Sequence, residues 1–276
     1  MARSHIEGEC LGGAVGLAVV LLVSPAQAVV ADSESAIPGD ARSAEEVVQR
    51  HDVAVGATGP ESRGARHFKG TYSAEFRERR GLGPGAFELY TQAPDRWVML
   101  WFNPGPGGVA GEGFKQGSGW TAAWAGVQRW TVEQEAQKRR DVGLFLGAGL
   151  REGYSRFSLS GEQDLLGRLA DVVKATPAEG GPDETLYFDR GTGLLIGRDA
   201  IRKVWITDDL FEDVPFSYRY KDYRAVGGTR VPFAVHADAP LYGYQVTLVD
   251  AATGSPIDQG RFDPPTPAAA CSAAKK

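Results

Sequence analysis

The sequence predicts a mostly β, α+β protein in which an antiparallel sheet or barrel of about eleven strands is covered on its open side by helices. Three features of the 276 residues support this fold. Short apolar or alternating runs separated by turns recur through most of the chain, a capped helical segment precedes them, and a second helical segment interrupts them. Because the interruption falls between two groups of strands, we expect a strongly bent sheet.

The segment 1–28 is predicted to be a signal peptide that is cleaved on export to the periplasm. Arg3 precedes an uncharged apolar run from Leu11 to Val23, and the following SPAQA ends in the small-x-small pattern that signal peptidase reads. The run is too short and too broken by glycine to predict a membrane span. Small and polar residues follow, so we expect residues 29–42 to be a flexible leader.

The first folded element is predicted to be a helix. Ser43 can cap its start, while Glu46 reaches back to the amide of the capping residue. Val47, His51 and Val55 then recur at helical spacing before glycines end the segment. We expect His51 to be buried or half-buried on this apolar stripe rather than to bind a ligand.

From Arg66 onward the period of the apolar residues changes to two, as in a strand with one wet face. Turn-forming residues separate the successive runs, and Arg77–Gly85 is predicted to be the first turn. The runs predicted as strands are HFKGTYSAEF, AFELYTQ, RWVMLWF, GVAGEGF, GWTAAW, YSRFSLS, RLADVVKA, TLYF, LLIGRDAIRKVW, FSYRYKDYR, TRVPFAVH and YQVTLVD.

One of these runs, RWVMLWF, is apolar on both faces of the predicted strand. The two faces carry Trp97, Met99 and Trp101 on one side and Val98, Leu100 and Phe102 on the other. Both faces therefore need cover. Either both pack in ordinary cores, or one of them lines a cavity for a flexible apolar ligand, for which aromatic rings and a thioether are well suited.

The segment from Thr131 to Tyr154 breaks the strand rhythm and predicts one or two short helices. Thr131 is a suitable cap, and Gln134 is its partner in a capping box. Apolar residues follow at mixed helical spacing. A helical piece inserted between two groups of strands is expected to cover the open side of a bent sheet.

The stretch LYFDRGTGLLIGRD, residues 186–199, poses a choice between a phosphate-binding loop and a turn. A phosphate loop needs a helix after its glycines so that the first amides face the anion, whereas a β-rich run follows here. Asp189–Gly193 is typical of a hairpin turn, with Gly191 and Gly193 where positive φ is needed. We therefore predict a turn that carries no ligand.

Composition and motifs argue against several classes of function. The net charge of -5 and the lack of long basic blocks argue against nucleic acid as a partner. The chain lacks HExxH, GxSxG and a distinctive carboxylate pair, so catalysis, a metal and a cofactor are not expected. The acidic cluster in ITDDLFEDVPF lacks the spacing of a calcium loop and is expected to be a solvated loop. Cys10 leaves with the signal peptide, so Cys271 in the predicted disordered tail 266–276 has no disulfide partner.

A set of motifs covers about Ala44 to Pro265: VGATG, KGTYS, YTQAPDRWVMLWFNP, KRRDVGLFL, TLYFDRGTGLLIGRD, YKDYRAVGGTRVPF and GRFDPP. Together they resemble the LolA-like family of periplasmic outer-membrane lipoprotein-sorting proteins. The resemblance implies that residues 43–265 form one lipid-binding domain, a half-open and strongly curved antiparallel barrel whose mouth is plugged by helices. It also implies an apolar cavity that holds acyl chains. The family's register favours a lining of Phe87, Leu89, Trp97, Met99 and Trp101.

The resemblance further implies a non-enzymatic carrier of lipid or lipoprotein acyl chains in outer-membrane biogenesis. Such a carrier is expected to be a monomer that exchanges its cargo with membrane-associated donor and acceptor proteins. The sequence departs from the family at Ala93, because the carriers have a basic residue before the proline that corresponds to Pro94. Two alternatives stay open: a lipid-responsive envelope sensor that binds a protein partner, and a hydrolase without a familiar motif.

Overall fold

The computed structural model describes residues 42–56, 64–76, 79–92, 95–102, 109–123, 126–147, 149–207 and 210–264. The predicted signal peptide, almost all of the leader and the predicted tail with Cys271 lie outside the described residues. So do Ala93 and Pro94, where the sequence departs from the family.

The first described element is helix α1, Ala44–Val55, and its predicted start is confirmed. The Ser43 hydroxyl accepts a hydrogen bond from the Glu46 amide, and the Glu46 carboxylate accepts one from the Ser43 amide. This reciprocal box satisfies two amides that a helix start leaves unpaired. Gly56 ends the helix in the left-handed region at φ 73°. The side chains that α1 buries are Val47, Val48, His51 and Val55.

All strands of the described chain belong to one antiparallel sheet of thirteen. They are β1 (Arg66–Phe76), β2 (Arg79–Gln92), β3 (Arg96–Phe102), β4 (Val109–Lys115), β5 (Ser118–Ala123), β6 (Gly126–Arg129), β7 (Tyr154–Leu165), β8 (Arg168–Pro177), β9 (Glu184–Asp189), β10 (Leu195–Thr207), β11 (Leu210–Val226), β12 (Thr229–Asp238) and β13 (Tyr242–Thr253). Their spatial order is β6-β5-β4-β3-β2-β1-β13-β12-β11-β10-β9-β8-β7. The sheet is curved but is not closed into a barrel, because β6 and β7 remain its edges within the described residues.

The predicted number of about eleven strands is wrong, and so is the predicted turn at Arg77–Gly85. Every run quoted above forms a strand, but the sheet also contains β6, whose four residues are too few to show a period. Strand β2 begins at Arg79, which pairs with Phe76 of β1. Pairing with β1 thus extends β2 through glycine-rich residues that by themselves favour a turn.

The stretch between β9 and β10 forms a hairpin turn, as predicted. The Asp189 amide donates to the Leu194 carbonyl over 2.9 Å, and the Gly193 amide donates to the Asp189 carbonyl over 2.7 Å. Gly193 has φ 75°, whereas Gly191 lies outside the left-handed region, so only one of the two glycines is needed for its φ. His51 of α1 is buried, as expected, and its Nδ1 lies 3.2 Å from the Gly193 carbonyl oxygen.

The predicted helical interruption forms α2 (Val132–Phe145) and the short α3 (Leu150–Gly153). Its predicted cap is confirmed, since the Gln134 amide donates to the Thr131 hydroxyl and the Thr131 amide donates to the Gln134 side chain. Helices α1 and α2 pack on the same face of the sheet, which we call the inner face. Within the described part of the chain, no helix is both long enough and apolar enough to cross a membrane.

The opposite, outer face of β3 is covered by the C-terminal segment. A 3-10 turn at Gln259–Phe262 buries Phe262 completely, and Trp120 Nε1 donates to the Phe262 carbonyl over 3.2 Å. The outer cluster consists of Tyr90, Val98, Trp120, Ala122 and Phe262, and Leu100 packs against it. Both faces of β3 are therefore covered, but by separate groups of side chains.

Candidate functional site on the inner face

The five side chains predicted to line a cavity share the inner face of β2 and β3. In the register of these strands Phe87 lies opposite Trp101, and Leu89 lies opposite Met99. Trp97 precedes Met99 by two residues and therefore has the same orientation. The structure thus brings all five together, and their binding of a ligand stays a prediction.

These five side chains differ in how well they are covered. Phe87 and Leu89 are fully buried in the main core, and Trp97 is 6% exposed and packs with Val142 of α2. Met99 and Trp101 are only half-buried and border that core. The part of the inner face that a ligand can reach is therefore centred on these last two residues.

Tyrosines from the middle of the sheet extend this surface, and the sequence prediction did not include them. The ring of Tyr72 meets that of Trp101 edge-on at a centroid distance of 5.8 Å, and it lies 5.9 Å from the ring of Tyr244. On β12, between these strands, the small Ala237 lies opposite Tyr218 of β11 on one side and opposite Tyr244 of β13 on the other. Tyrosine at every second position of FSYRY and YGY is the signal that could have placed them on one face.

Burial keeps the tyrosine hydroxyl groups protonated. It raises the pKa of Tyr72 to about 12, with a smaller contribution from the Glu112 carboxylate. It also raises the pKa of Tyr218 and of Tyr244 above the usual value. At neutral pH these three tyrosines are therefore uncharged.

An ion pair between β4 and α2 borders the half-buried residues. Glu112 lies directly opposite Met99, and Lys138 Nζ donates to Glu112 Oε1 over 2.6 Å. Burial acts to lower the pKa of Lys138, but the Glu112 carboxylate outweighs it and raises the pKa above its usual value. The two side chains keep exposures of 31% for Lys138 and 16% for Glu112, so solvent still reaches the pair.

A larger charged cluster lies on the other arm of the sheet, around Glu184 of β9. This carboxylate is 2% exposed and accepts hydrogen bonds from Arg140 at 3.1 Å, Arg198 at 2.6 Å and Arg202 at 2.8 Å. The Tyr154 hydroxyl also donates to it. Several charge-assisted bonds to one carboxylate can offset the cost of removing its charge from water.

Asp141 of α2 belongs to the same cluster. Its Oδ1 accepts a hydrogen bond of 2.8 Å from Arg198 and another of 2.8 Å from Arg202, while Arg140 also donates to Glu179. The three guanidinium groups are thus matched by three carboxylates. Since α2 supplies both Arg140 and Asp141, this cluster attaches the helix to β9 and β10.

Helix α2 consequently spans the inner face from one arm of the sheet to the other. Lys138 attaches it to β4, a hydrogen bond of 2.9 Å from the Gly119 amide to Glu135 attaches it to β5, and the Glu184 cluster attaches it to β9 and β10. The aromatic surface therefore lies beside α2, with charged groups at its borders.

Among the described residues, no group of three or more His, Cys, Asp or Glu side chains is placed so that it could hold a metal ion. The acidic cluster in ITDDLFEDVPF was expected to be a solvated loop, but its described part belongs to a strand. Its described members, Glu212 and Asp213, are exposed but lie within β11, where Asp213 is paired with Lys203. Asp208 and Asp209 lie outside the described residues.

A separate pocket of about 210 Å³ lies where the C-terminal segment meets β1, β2 and β13. His67 stacks on Tyr90 in its wall at a centroid distance of 3.9 Å, and the Arg261 guanidinium lies 4.4 Å from the same ring. This volume is below the usual range for organic ligands. The inner face is therefore the better candidate site for an apolar ligand.

No protein-family model matches the sequence, and no curated protein sequence matches it. Solved structures do. A LolA superfamily protein from Nitrosomonas europaea has 10% identity and a TM-score of 0.53, over 81% of this chain and 98% of that chain. A DUF1329 family protein from Desulfovibrio piger has 12% identity and a TM-score of 0.54, over 79% and 97% of the two chains.

A domain from Vibrio parahaemolyticus, assigned to the outer membrane lipoprotein-sorting proteins, has 12% identity and a TM-score of 0.53, over 79% of this chain and 95% of that chain. At such identities the likeness concerns the fold alone. The chain has a LolA-like fold, and the resemblance of its motifs is confirmed at that level.

Proposed function

We propose that this protein binds the acyl chains of a lipid or lipoprotein on its inner face and carries them through the periplasm without catalysing a reaction. One observation carries the proposal: Met99 and Trp101 are only half-buried at the border of the main core, beside the fully buried Phe87 and Leu89 of the neighbouring strand. A soluble protein gains little from leaving two large apolar side chains partly open at the border of its core.

The surroundings of these two residues suit an acyl chain. Leu89 lies beside Met99 on the neighbouring strand, and Tyr72 contacts the Trp101 ring. A chain laid along them would remove apolar surface from water, at about 25 cal/mol per Å². The flexible thioether of Met99 can adapt to a ligand without a fixed shape.

The polar groups around the surface are engaged with one another, which supports binding rather than catalysis. Glu112 is held by Lys138, and Glu184 is held by three guanidinium groups. Burial raises the pKa of the tyrosine hydroxyls, so they stay protonated near neutral pH and the basic tyrosinate form is not populated. His51 is buried with the valines of α1, and its Nδ1 lies within hydrogen-bonding distance of the Gly193 carbonyl in the hairpin turn.

The proposed periplasmic location rests on the signal-peptide pattern, and the proposed carrier role rests on the LolA-like fold. One of the similar structures is assigned to the lipoprotein-sorting proteins. In this role the protein acts as a monomer that takes cargo from one membrane-associated protein and gives it to another. Mass spectrometry of lipid that co-purifies with protein recovered from the periplasm tests both location and cargo.

The substitution Met99→Gln tests the binding surface. A polar amide there has to be desolvated by the bound chain without a partner, so we expect a fluorescent fatty acid to bind about tenfold more weakly, equivalent to about 1.4 kcal/mol. Ligand titration and thermal melts of the same preparation separate binding from folding.

The matched control is Leu100→Gln, one residue along β3 but on the outer face, where Leu100 packs against the Trp120 cluster. This change should lower the melting temperature and leave the affinity for the fatty acid largely unchanged. If Met99→Gln binds like the parent, or if the parent binds no lipid, the proposed function is wrong.

A further inference from the structure

Three aromatic rings at the edge of the main core are inclined to one another on the inner face. Tyr72 lies at a centroid distance of 5.8 Å from Trp101 with 66° between the ring planes, and 5.9 Å from Tyr244 with 32° between the planes. All three side chains are half-buried. Together they form a partly open aromatic surface, which we call the aromatic corner.

The rings of the aromatic corner have small neighbours. Each ring has a glycine or an alanine opposite it on at least one adjacent strand. These small residues are Gly85 opposite Tyr72, Ala110 opposite Trp101, and Ala74 and Ala237 opposite Tyr244. A side chain of one carbon atom or none covers little of a neighbouring ring, so part of each ring stays available to another molecule.

The inner face already pairs aromatic rings with cations. The guanidinium carbons of Arg198 and Arg202 lie 5.5 Å and 5.7 Å from the centre of the Tyr218 ring. Such pairs form because the negative face of the ring attracts a positive charge, and tryptophan attracts it most strongly. Within the described residues, no Arg or Lys lies over a ring of the aromatic corner. The corner can therefore receive a cation from a ligand.

A carboxylate lies within electrostatic reach of the aromatic corner. Burial raises the pKa of Tyr72 and of Tyr242, and the charge of Glu112 adds to the rise in both cases. Lys138 Nζ donates to Glu112 Oε1, so the pair as a whole has no net charge. The border of the corner thus presents one charge of each sign, which is complementary to a zwitterionic group rather than to a simple cation.

We infer that the aromatic corner binds the quaternary ammonium of a zwitterionic lipid headgroup of the phosphocholine type, while the acyl chain of that lipid lies along Met99. The inference rests on the proposed function and adds a headgroup to its ligand. A quaternary ammonium has no N–H to donate, so ring faces and a nearby carboxylate stabilise it without hydrogen bonds. Lys138 is the nearby cation for the phosphate of the same headgroup.

Two probes of the same chain length and shape test this inference in calorimetric titrations of the full protein, below their micelle concentrations. One is dodecylphosphocholine, and the other is its analogue with carbon in place of the ammonium nitrogen, which has no positive charge. We expect the parent to bind dodecylphosphocholine about tenfold more tightly than the analogue. Choline alone should bind far more weakly, and an affinity equal to that of dodecylphosphocholine overturns the assignment to a lipid.

Substitutions at Trp101 show whether the ring is the cause of the preference. Trp101→Leu keeps an apolar side chain but removes the ring, so it should abolish the preference and leave binding of the analogue nearly unchanged. Trp101→Phe keeps a ring face and should retain part of the preference. Met99→Leu, two residues away on the same face, is the matched control and should not alter it.

The two proposals fail in different ways. If the parent binds both dodecyl probes equally, or if Trp101→Leu keeps the full preference, the headgroup assignment is overturned and acyl-chain binding stays intact. If neither dodecyl probe binds to the parent, the proposed function is overturned as well.

Discussion

Helices α1 and α2 both begin with a capping box and both cover the inner face, yet they attach to the sheet by different means. Helix α1 buries three valines and His51, and its polar contacts with the sheet go to backbone carbonyls of the β9–β10 turn, including 2.6 Å from Arg50 Nη2 to the Arg190 oxygen. Its ion pairs go to Arg151 of α3 instead. Helix α2 buries Arg140 among its apolar residues and reaches both arms of the sheet through ion pairs.

This difference determines which helix can move away from the sheet more easily. Moving α1 would expose a whole apolar stripe, whereas α2 is held at points of unequal strength. Around Glu184, 2% exposed, the charges are buried and have several partners, while Glu112, 16% exposed, has one. Exposed pairs contribute little to stability, whereas breaking a buried one is costly. The weaker attachment of α2 is therefore the one beside Met99.

The largest expected effect comes from breaking the stronger attachment. In Glu184→Gln the side chain keeps its shape but loses its charge, and Arg140, Arg198 and Arg202 lose their shared partner. We expect a loss of about 3–5 kcal/mol in the free energy of unfolding, because the guanidinium charges stay buried and are only partly compensated. Urea denaturation followed by circular dichroism measures it.

Glu112→Gln is the matched control for that change, since it removes one carboxylate from the partly exposed attachment of the same helix. It should cost about 0.5–1 kcal/mol. Equal losses in the two variants would show that the two ends of α2 are held with similar strength, which contradicts the comparison.

The next effect concerns α1 and depends on pH. Burial lowers the pKa of His51 from 6.5 to about 4, although the bond to the Gly193 carbonyl and the charge of Asp52 oppose this. The folded state therefore binds a proton less readily than the unfolded state. This contribution to stability is present above pH 6.5 and is lost as the pH falls towards 4, by about 3 kcal/mol in all.

His51→Asn isolates this contribution, because asparagine can donate a similar hydrogen bond but does not titrate. The variant should lose less stability than the parent between pH 6.5 and 4 in urea denaturation series. Parallel pH profiles for the two proteins would show that His51 is not the group responsible.

The smallest of the three main effects, after those at Glu184 and His51, concerns the turn on which α1 rests. Gly193 has φ 75°, and a Cβ there would lie 3.1 Å from the Arg50 carbonyl oxygen of α1, so Gly193→Ala should cost about 1–2 kcal/mol. Gly191→Ala, two residues away, would meet only the Asp189 side chain at 3.4 Å and should cost much less. Melting temperatures of the two variants compare them, and a reversed order would contradict the geometry of the turn.

Much of the local structure follows from short stretches of sequence. Ser43 with Glu46 and Thr131 with Gln134 predicted both capping boxes, because a cap depends on residues within one helical turn. The alternation of apolar and polar residues predicted the longer strands. It missed β6, because four residues are too few to show a period. The two-faced apolar pattern of RWVMLWF predicted a strand that is covered on both sides.

The candidate site was predictable only in part. Period two placed Phe87, Leu89, Trp97, Met99 and Trp101 on one face, but it gave no measure of which of them stay half-buried. Sequence did not indicate that Phe262 returns to cover Trp120, 142 residues earlier in the chain. Nor did it indicate that tyrosines of β1, β11 and β13 would join Trp101.

By itself the sequence determined the elements, their caps, the β9–β10 turn and the side of β3 to which each apolar residue belongs. The tertiary structure alone decided what covers each side, how α2 is attached, and which rings form the aromatic corner. The physical reason is distance along the chain: periodicity and capping act over a few residues, whereas Arg140 meets Glu184 across 44 residues and Arg198 meets Asp141 across 57. Such partners come together only when α2 packs against the folded sheet.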